Sequence, residues 1–282
     1  MFTAGLDSYT PDSLVRWLSL ARAHGLRVVL ALTGGSHTNY LSRQCPGYQR
    51  SCASADSTPM FDPAKWGARM DAFTTPAIRS AIAAGVADGT ILGASVMDEP
   101  QVTGTGDGNT WGPPGTMTKA RVDSLCGAVQ ARFPTLVAGV VHRHDTFEAS
   151  KNYATCGWIY SQYSTRLGTA PAFRDGGLAF AKRSRVAIMF GLNSLNGGTQ
   201  SVRDGRWICD PQTTGGRGTY DPNCRMTPAQ LQSAALTLGP VGCAFLFWRY
   251  DVAQLADPAI QQAFRVVADS LARVPAPPCR RS

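Results

Sequence analysis

Ile91-Leu92-Gly93-Ala94-Ser95-Val96-Met97-Asp98-Glu99-Pro100 is the stretch from which the fold is read. Small and branched apolar residues run without a break into an acid pair and a proline. An uninterrupted apolar run of this length is what a parallel strand covered on both faces requires. Proline cannot donate to the ladder, so the strand ends at Asp98-Glu99 and the chain turns outward. In a (β/α) barrel the C-terminal strand ends are where chemistry is placed, so the two carboxylates stand at the working face.

The same alternation extends in both directions. Thr10-Pro11-Asp12 is a helix start, with an N-cap threonine and proline at the first helical position. Leu14, Trp17, Leu18, Leu20 and Ala21 follow at helical spacing, Gly25 ends the helix, and a strand over 27–33 comes next. One or two helices are expected over 66–84, stopped by Gly85, before the strand that ends at Asp98. Thr118 to Arg132 reads as a helix and 136–141 as a strand; further strands are expected over 156–162, 186–192 and 243–248. Thr227-Pro228 starts a capped helix that ends at Gly239, and a last helix is expected from about Pro258 to Arg273. Strands and helices in this rhythm mean a parallel α/β architecture, here a (β/α)8 TIM-type barrel. Counted back from Trp248 as the eighth strand, 27–33 is the third and Met1–Gly5 the end of the second. The first strand and helix are then expected to be missing. A single barrel domain over 1–274 and an extended tail over 275–282 complete the expected organisation.

The 282 residues are enough for one large core, and 44% are hydrophobic. No apolar run approaches a membrane span. The net charge of +8 comes from dispersed arginines; the lysines are Lys65, Lys119, Lys151 and Lys182. Without a basic stripe interleaved with aromatics, nucleic-acid binding is not expected. The cysteines number 8, and none forms a C-x-x-C pair, which speaks against a zinc ribbon or redox motif. Neighbours in sequence suggest the pairs Cys45–Cys52, Cys126–Cys156, Cys209–Cys224 and Cys243–Cys279, one of about 105 possible connectivities. Loop disulfides imply an oxidising compartment, so a secreted or periplasmic protein is expected, although no signal peptide is legible at the start. No cofactor is called for, and a monomer is expected.

Strand ends collect the candidate site. They bring His37, Asn39 and Tyr40; Asp98 and Glu99; His142, His144 and Asp145; Gln162 and Tyr163; Asn193 and Asn196; and Trp248 with Asp251. Aromatic faces that stack on C–H surfaces, mixed with amides and carboxylates that hold hydroxyls, suit a sugar. Asp98-Glu99-Pro100 resembles the Asn-Glu-Pro or Asp-Glu pair at the fourth strand of (β/α)-barrel glycoside hydrolases. That resemblance implies Glu99 as proton donor, its pKa raised by the adjoining Asp98, with Asp98 orienting substrate or tuning the acid. Phe247-Trp248 is similar to the last-strand tryptophan that floors the sugar site in these enzymes. Tyr160-Ser161-Gln162-Tyr163, Phe190-Gly191-Leu192-Asn193 and the stretch 246–251 are reminiscent of plant-type chitinases. The resemblance covers short strand ends and no continuous stretch.

Two departures bear on mechanism. The seventh-strand end, Leu192-Asn193-Ser194, has no nucleophilic acid, and Ser95 and Met97 stand where a chitinase carries further acids. A second carboxylate is then Asp98, Asp145, Asp7 or Asp251, or else a substrate acetamido group is the nucleophile. Two other readings compete with the glycoside hydrolase. One is a barrel that binds carbohydrate without cleaving it. The other is a metal-dependent hydrolase in which His142 and His144, two apart on a strand and so on one face, join His37 and Asp98. Trp158, Trp17 and Trp66 read as packing residues, whereas Trp111 and Trp207 lie in Gly/Pro-rich loops and suit either a sugar platform or a loop anchor.

Overall fold

A computed structural model describes residues 4–33, 37–45, 51–100, 111–203, 206–207, 222–247 and 251–281. The chain forms two compact units: Thr3–Ile159 with Arg183–Val186 and Cys279–Ser282, and Tyr160–Lys182 with Ala187–Pro278.

The first unit opens with β1 (Ala4–Ser8), α1 (Pro11–Ala23) and β2 (Arg27–Ala31), and continues through a hairpin of β3 (Leu41–Gln44) and β4 (Thr58–Phe61). Helices α2 (Pro63–Asp71) and α3 (Pro76–Ala87) then lead into β5 (Ile91–Asp98), followed by α4 (Lys119–Arg132) and β6 (Ala138–Val141). The order β1-β2-β5-β6 is parallel throughout. Helix starts follow local chemistry: Asp62 accepts from the Ala64 and Lys65 amides, Thr75 from Ile78 and Thr118 from Arg121, with proline in the first turn of α1, α2 and α3.

Two sequence expectations need correction in this unit. Gly85 does not end a helix but lies within α3, which runs on to Ala87; the chain reverses at Gly89, whose φ of 79° favours glycine. Gly85 serves packing instead, because a Cβ there would meet Ile91 Cδ1 at 2.8 Å. The hairpin of β3 and β4, which interrupts the strand–helix rhythm, was not foreseen, since Leu41-Ser42-Arg43-Gln44 has no apolar alternation to announce it.

The second unit contains most of β7 (Trp158–Tyr163), then α5 (Ala170–Ser184), β8 (Ala187–Leu192), the short pair β9 (Val202–Arg203) and β10 (Arg206–Trp207), α6 (Pro228–Leu238), β11 (Ala244–Phe247), α7 (Val252–Ala256) and α8 (Pro258–Leu271). β7, β8 and β11 are neighbours in that order, and β11 runs parallel to β8. Helix α6 begins at the capped start expected at Thr227-Pro228, where a capping box forms, the Gln230 side chain accepting from the Thr227 amide.

Side-chain direction along β7 is fixed by its neighbours. Tyr163 packs on Phe173 of α5, with ring centroids 5.3 Å apart, so odd positions face the helices. Trp158, Tyr160 and Gln162 therefore face the opposite, inner side. There Trp158 lies where side chains on Gly93 and Gly139 would be, and Tyr160 lies where one on Gly191 would be. The small residues of these strands make room for large aromatic rings in the core.

Cys45–Cys52 and Cys126–Cys156 are disulfides, as the sequence spacing suggested. Cys224, Cys243 and Cys279 are also disulfide-bonded, and Cys209 lies outside the described residues. No described helix is long and apolar enough to cross a membrane.

Candidate active site

Asp98 owes its direction to an irregularity of β5. Ser95 pairs with Gly139 of β6, but the next pair is Asp98 with Val141, so β5 spends three residues where β6 spends two. A bulge of this kind reverses the alternation of the strand and re-aims the residue beyond it. Because Gly139 is on the inner side, facing Trp158, Val141 and its partner Asp98 are on that side as well. Without the bulge, residue 98 would face the helices.

The backbone at the acid pair is held from two directions. The buried Trp111 indole donates to the Asp98 carbonyl at 2.6 Å, and the Glu99 amide donates to the Val141 carbonyl at 2.8 Å. Trp111 in turn stacks on Tyr40 at 6.1 Å and meets Phe61 edge-on at 5.9 Å. Trp111 is thus the loop anchor of its two sequence readings. Glu99 has a φ of 44°, a left-handed conformation uncommon for a residue with a side chain and concentrated at functional positions. Both acids are solvent-exposed, while Pro100 is buried.

Surrounding protein, and then the neighbouring Glu99 charge, push the Asp98 carboxyl up to about 7. Asp98 thus carries a raised carboxyl; the sequence reading had placed its own expectation of one on Glu99.

Several candidates carry hydrogen bonds of the fold. Tyr40 is buried and its hydroxyl donates to the Thr33 carbonyl. Tyr163 faces the helix side and donates to the Gly168 carbonyl at 2.8 Å. Asn193 Oδ1 accepts the Asn196 amide at 3.2 Å, and both asparagines are buried. Asp251 caps α7 by accepting the Gln254 amide at 2.7 Å and lies 3.5 Å from Arg225. Gln162 is the β7 candidate on the inner side, with its amide nitrogen 3.4 Å from the Tyr160 hydroxyl. Asn39 is exposed. The side chains of His37 and Asp7, and Trp248 altogether, lie outside the described residues.

His142 bears on the metal reading. Its Nδ1 is 2.7 Å from the Arg143 carbonyl, which can only accept, so Nδ1 carries the proton. Nε2 is then the acceptor for the Tyr153 hydroxyl, at 2.8 Å. With its lone pair so used and its pKa lowered to about 4, chiefly by burial, His142 is a neutral packing residue. Two residues on, His144 is buried, which lowers its pKa. Asp145 is gripped by Arg143 through Nε at 3.0 Å and Nη2 at 2.7 Å. Burial opposes its ionisation, but this fork outweighs it and holds the carboxyl below the usual range. Among the described residues no three His, Cys, Asp or Glu side chains gather as a metal centre.

No protein-family model matches the chain, and no curated protein does. Solved structures do. A glycoside hydrolase family 5 mannosidase from Rhizomucor miehei is similar with a TM-score of 0.52 at 9% identity, over 96% of this chain and 83% of that one. A GH113 β-1,4-mannanase gives 0.49 at 13% identity over 96% and 86%, and a fungal β-1,4-galactanase 0.47 at 12% over 87% and 76%. Together with the parallel strand–helix alternation, the likeness to the mannosidase shows that this chain has the fold of a TIM-type (β/α) barrel, the fold of the glycoside hydrolases that its strand ends resemble.

Proposed function

We propose that the protein hydrolyses O-glycosidic bonds in a polysaccharide or glycan, with Asp98 and Glu99 as its catalytic carboxyls. The observation that carries this reading is the acid pair at the C-terminal end of β5. The pair is exposed, its backbone is clamped on both sides, and one member has a proton affinity suited to holding a proton near neutrality. Glycoside hydrolysis needs one protonated and one ionised carboxyl at the same bond. Asp98, with its raised carboxyl, is suited to holding a proton beside the neighbouring Glu99. On the strength of the strand-end resemblance alone, Gln162 is the proposed hydroxyl ligand and Trp248 the proposed stacking platform. Disulfides support an extracellular or periplasmic setting for such an enzyme.

The test is reducing-sugar release from β-1,4-mannan, β-1,4-galactan and chitin. Glu99→Gln and Asp98→Asn are near-isosteric and exposed, so both are expected to fold, and each should lower turnover by roughly 10²–10⁴-fold. Wild-type turnover that survives in both variants would exclude the pair from the chemistry. Binding of these glycans without any cleavage by the wild type would favour a carbohydrate-binding barrel, the reading to which the absence of an acid at Leu192-Asn193-Ser194 lends support.

A further inference from the structure

Beyond its ladder with β2, the end of β5 is held by side chains. The register with β2 stops at Ala31 opposite Ser95, where the Leu32 amide donates to the Ser95 carbonyl at 3.3 Å. The next three carbonyls are taken in turn. Val96 accepts from the Trp66 indole at 3.1 Å, Met97 from the Ser95 hydroxyl at 3.0 Å, and Asp98 from the Trp111 indole at 2.6 Å. Backbone carbonyls removed from water need a donor, and these groups supply what a neighbouring strand would otherwise give.

Trp111 is brought to Asp98 by the hairpin of β3 and β4. The Phe61 amide, at the end of β4, donates to the Trp111 carbonyl at 3.0 Å. Gly112 follows with a φ of 123°, and a Cβ there would meet Met60 Cα at 3.1 Å and Thr116 Oγ1 at 2.8 Å. Glycine lets the backbone lie this close to β4 in that conformation. The Trp111 ring is then gripped by Tyr40, just before β3, and by Phe61. The Asp62 amide ties the two ends of the hairpin by donating to the Tyr40 carbonyl at 2.7 Å. We propose, on the reading of Asp98 and Glu99 as the catalytic carboxyls, that this hairpin and Trp111 are a positioning unit for the acid pair. They act on it through the backbone. Glu99 has a left-handed φ of 44°, a conformation that its surroundings must hold. The indole on the Asp98 carbonyl and the Val141 carbonyl on the Glu99 amide hold it.

Trp111→Phe keeps a ring against Tyr40 and Phe61 and removes the donor. On the glycan that the wild type cleaves, kcat should fall roughly 10–10²-fold with KM within about threefold, because a displaced carboxyl costs rate and not binding. Gly112→Ala leaves the indole in the chain but forces its backbone off β4, and should give the same split. Asp123→Ala, which loosens the segment after β6 without touching β5, controls for general destabilisation; its kcat should stay within about threefold of the wild type's. An unchanged kcat in Trp111→Phe, or a loss in Asp123→Ala as large as in Trp111→Phe, would overturn the proposal. Independently of turnover, hydrogen exchange of the Glu99 amide should quicken at least roughly tenfold in Trp111→Phe, and unchanged exchange would also overturn it. If the wild type cleaves no glycan, the glycosidase reading fails, and the exchange result alone decides whether the hairpin positions the pair.

Discussion

Asp98 is held where ionisation is costly, and that cost is a stability statement as well as a catalytic one. Its folded pKa of about 7 lies above the unfolded value of about 3.9, so between these values the native state binds more protons than the unfolded chain. The carboxyl's contribution is thus fully present below about pH 4 and is lost as pH rises through 7. Asp98→Asn removes the ionisable group, so above pH 7 it is expected to melt at a higher temperature than the wild type while losing turnover. Thermal unfolding at pH 5 and pH 8 checks this, the gain appearing at pH 8. An Asn variant less stable at pH 8 would mean that the carboxylate is stabilised in the folded protein. Neighbouring candidates divide by the same physics. Tyr40, Tyr163 and Asn193 look like sugar ligands by type, yet each has its polar atom engaged by the backbone of its own loop. A residue type states what a side chain can bind; strand parity and nearby carbonyls decide what it does bind.

At the scale of elements, the segment between β6 and β7 is held down by α4. The Asp123 carboxylate accepts the amides of Ala154, Thr155 and Cys156, each at 2.8 Å. Burial raises its pKa, and these amides more than compensate, leaving it below the usual range. One turn further along α4, Cys126 is bonded to Cys156. At the start of the helix, the buried Lys119 lies over the Tyr153 ring at 4.6 Å and donates to the carbonyls of Glu148 and Lys151. Burial pulls that ammonium down to about 8. The network fixes Tyr153 and, through it, His142. Asp123→Ala leaves three inward-facing amides without their anion and should cost roughly 2–3 kcal/mol, read as a lower denaturation midpoint with an unchanged m-value. A loss below about 0.5 kcal/mol would mean that the disulfide alone orders the segment.

For the whole molecule, disulfides complement the packed core. Cys126–Cys156 closes a loop with a sequence separation of 30, for which loop-closure entropy gives roughly 3–4 kcal/mol. Cys45–Cys52, with a separation of 7, closes a much shorter loop and contributes less. The tail returns to the first unit, where Arg281 donates to the Tyr153 carbonyl at 2.8 Å, and Cys279 is disulfide-bonded. Reduction under native conditions should therefore lower the melting temperature by several degrees or more, and Cys126→Ser with Cys156→Ser should reproduce most of that change. Equal melting temperatures with and without reductant would remove the disulfides from the account of stability.

The sequence by itself determined the strand–helix alternation, most helix starts, two disulfide pairs and the position of the acid pair at a strand end. These depend on local signals: continuous apolar runs, threonine or aspartate before proline, and short cysteine spacings. Tertiary structure decided which way the side chains face. The bulge that turns Asp98 inward exists only as a mismatch between β5 and β6, and no property of 91–98 alone announces it. Gly85 reads as a helix stop because glycine often is one, and becomes a packing position only when Ile91 approaches it. His142 reads as a ligand until Tyr153 and the Arg143 carbonyl take both ring nitrogens. Local sequence sets the element; direction and proton affinity depend on neighbours distant in the chain, because strand pairing and desolvation are properties of the assembled fold.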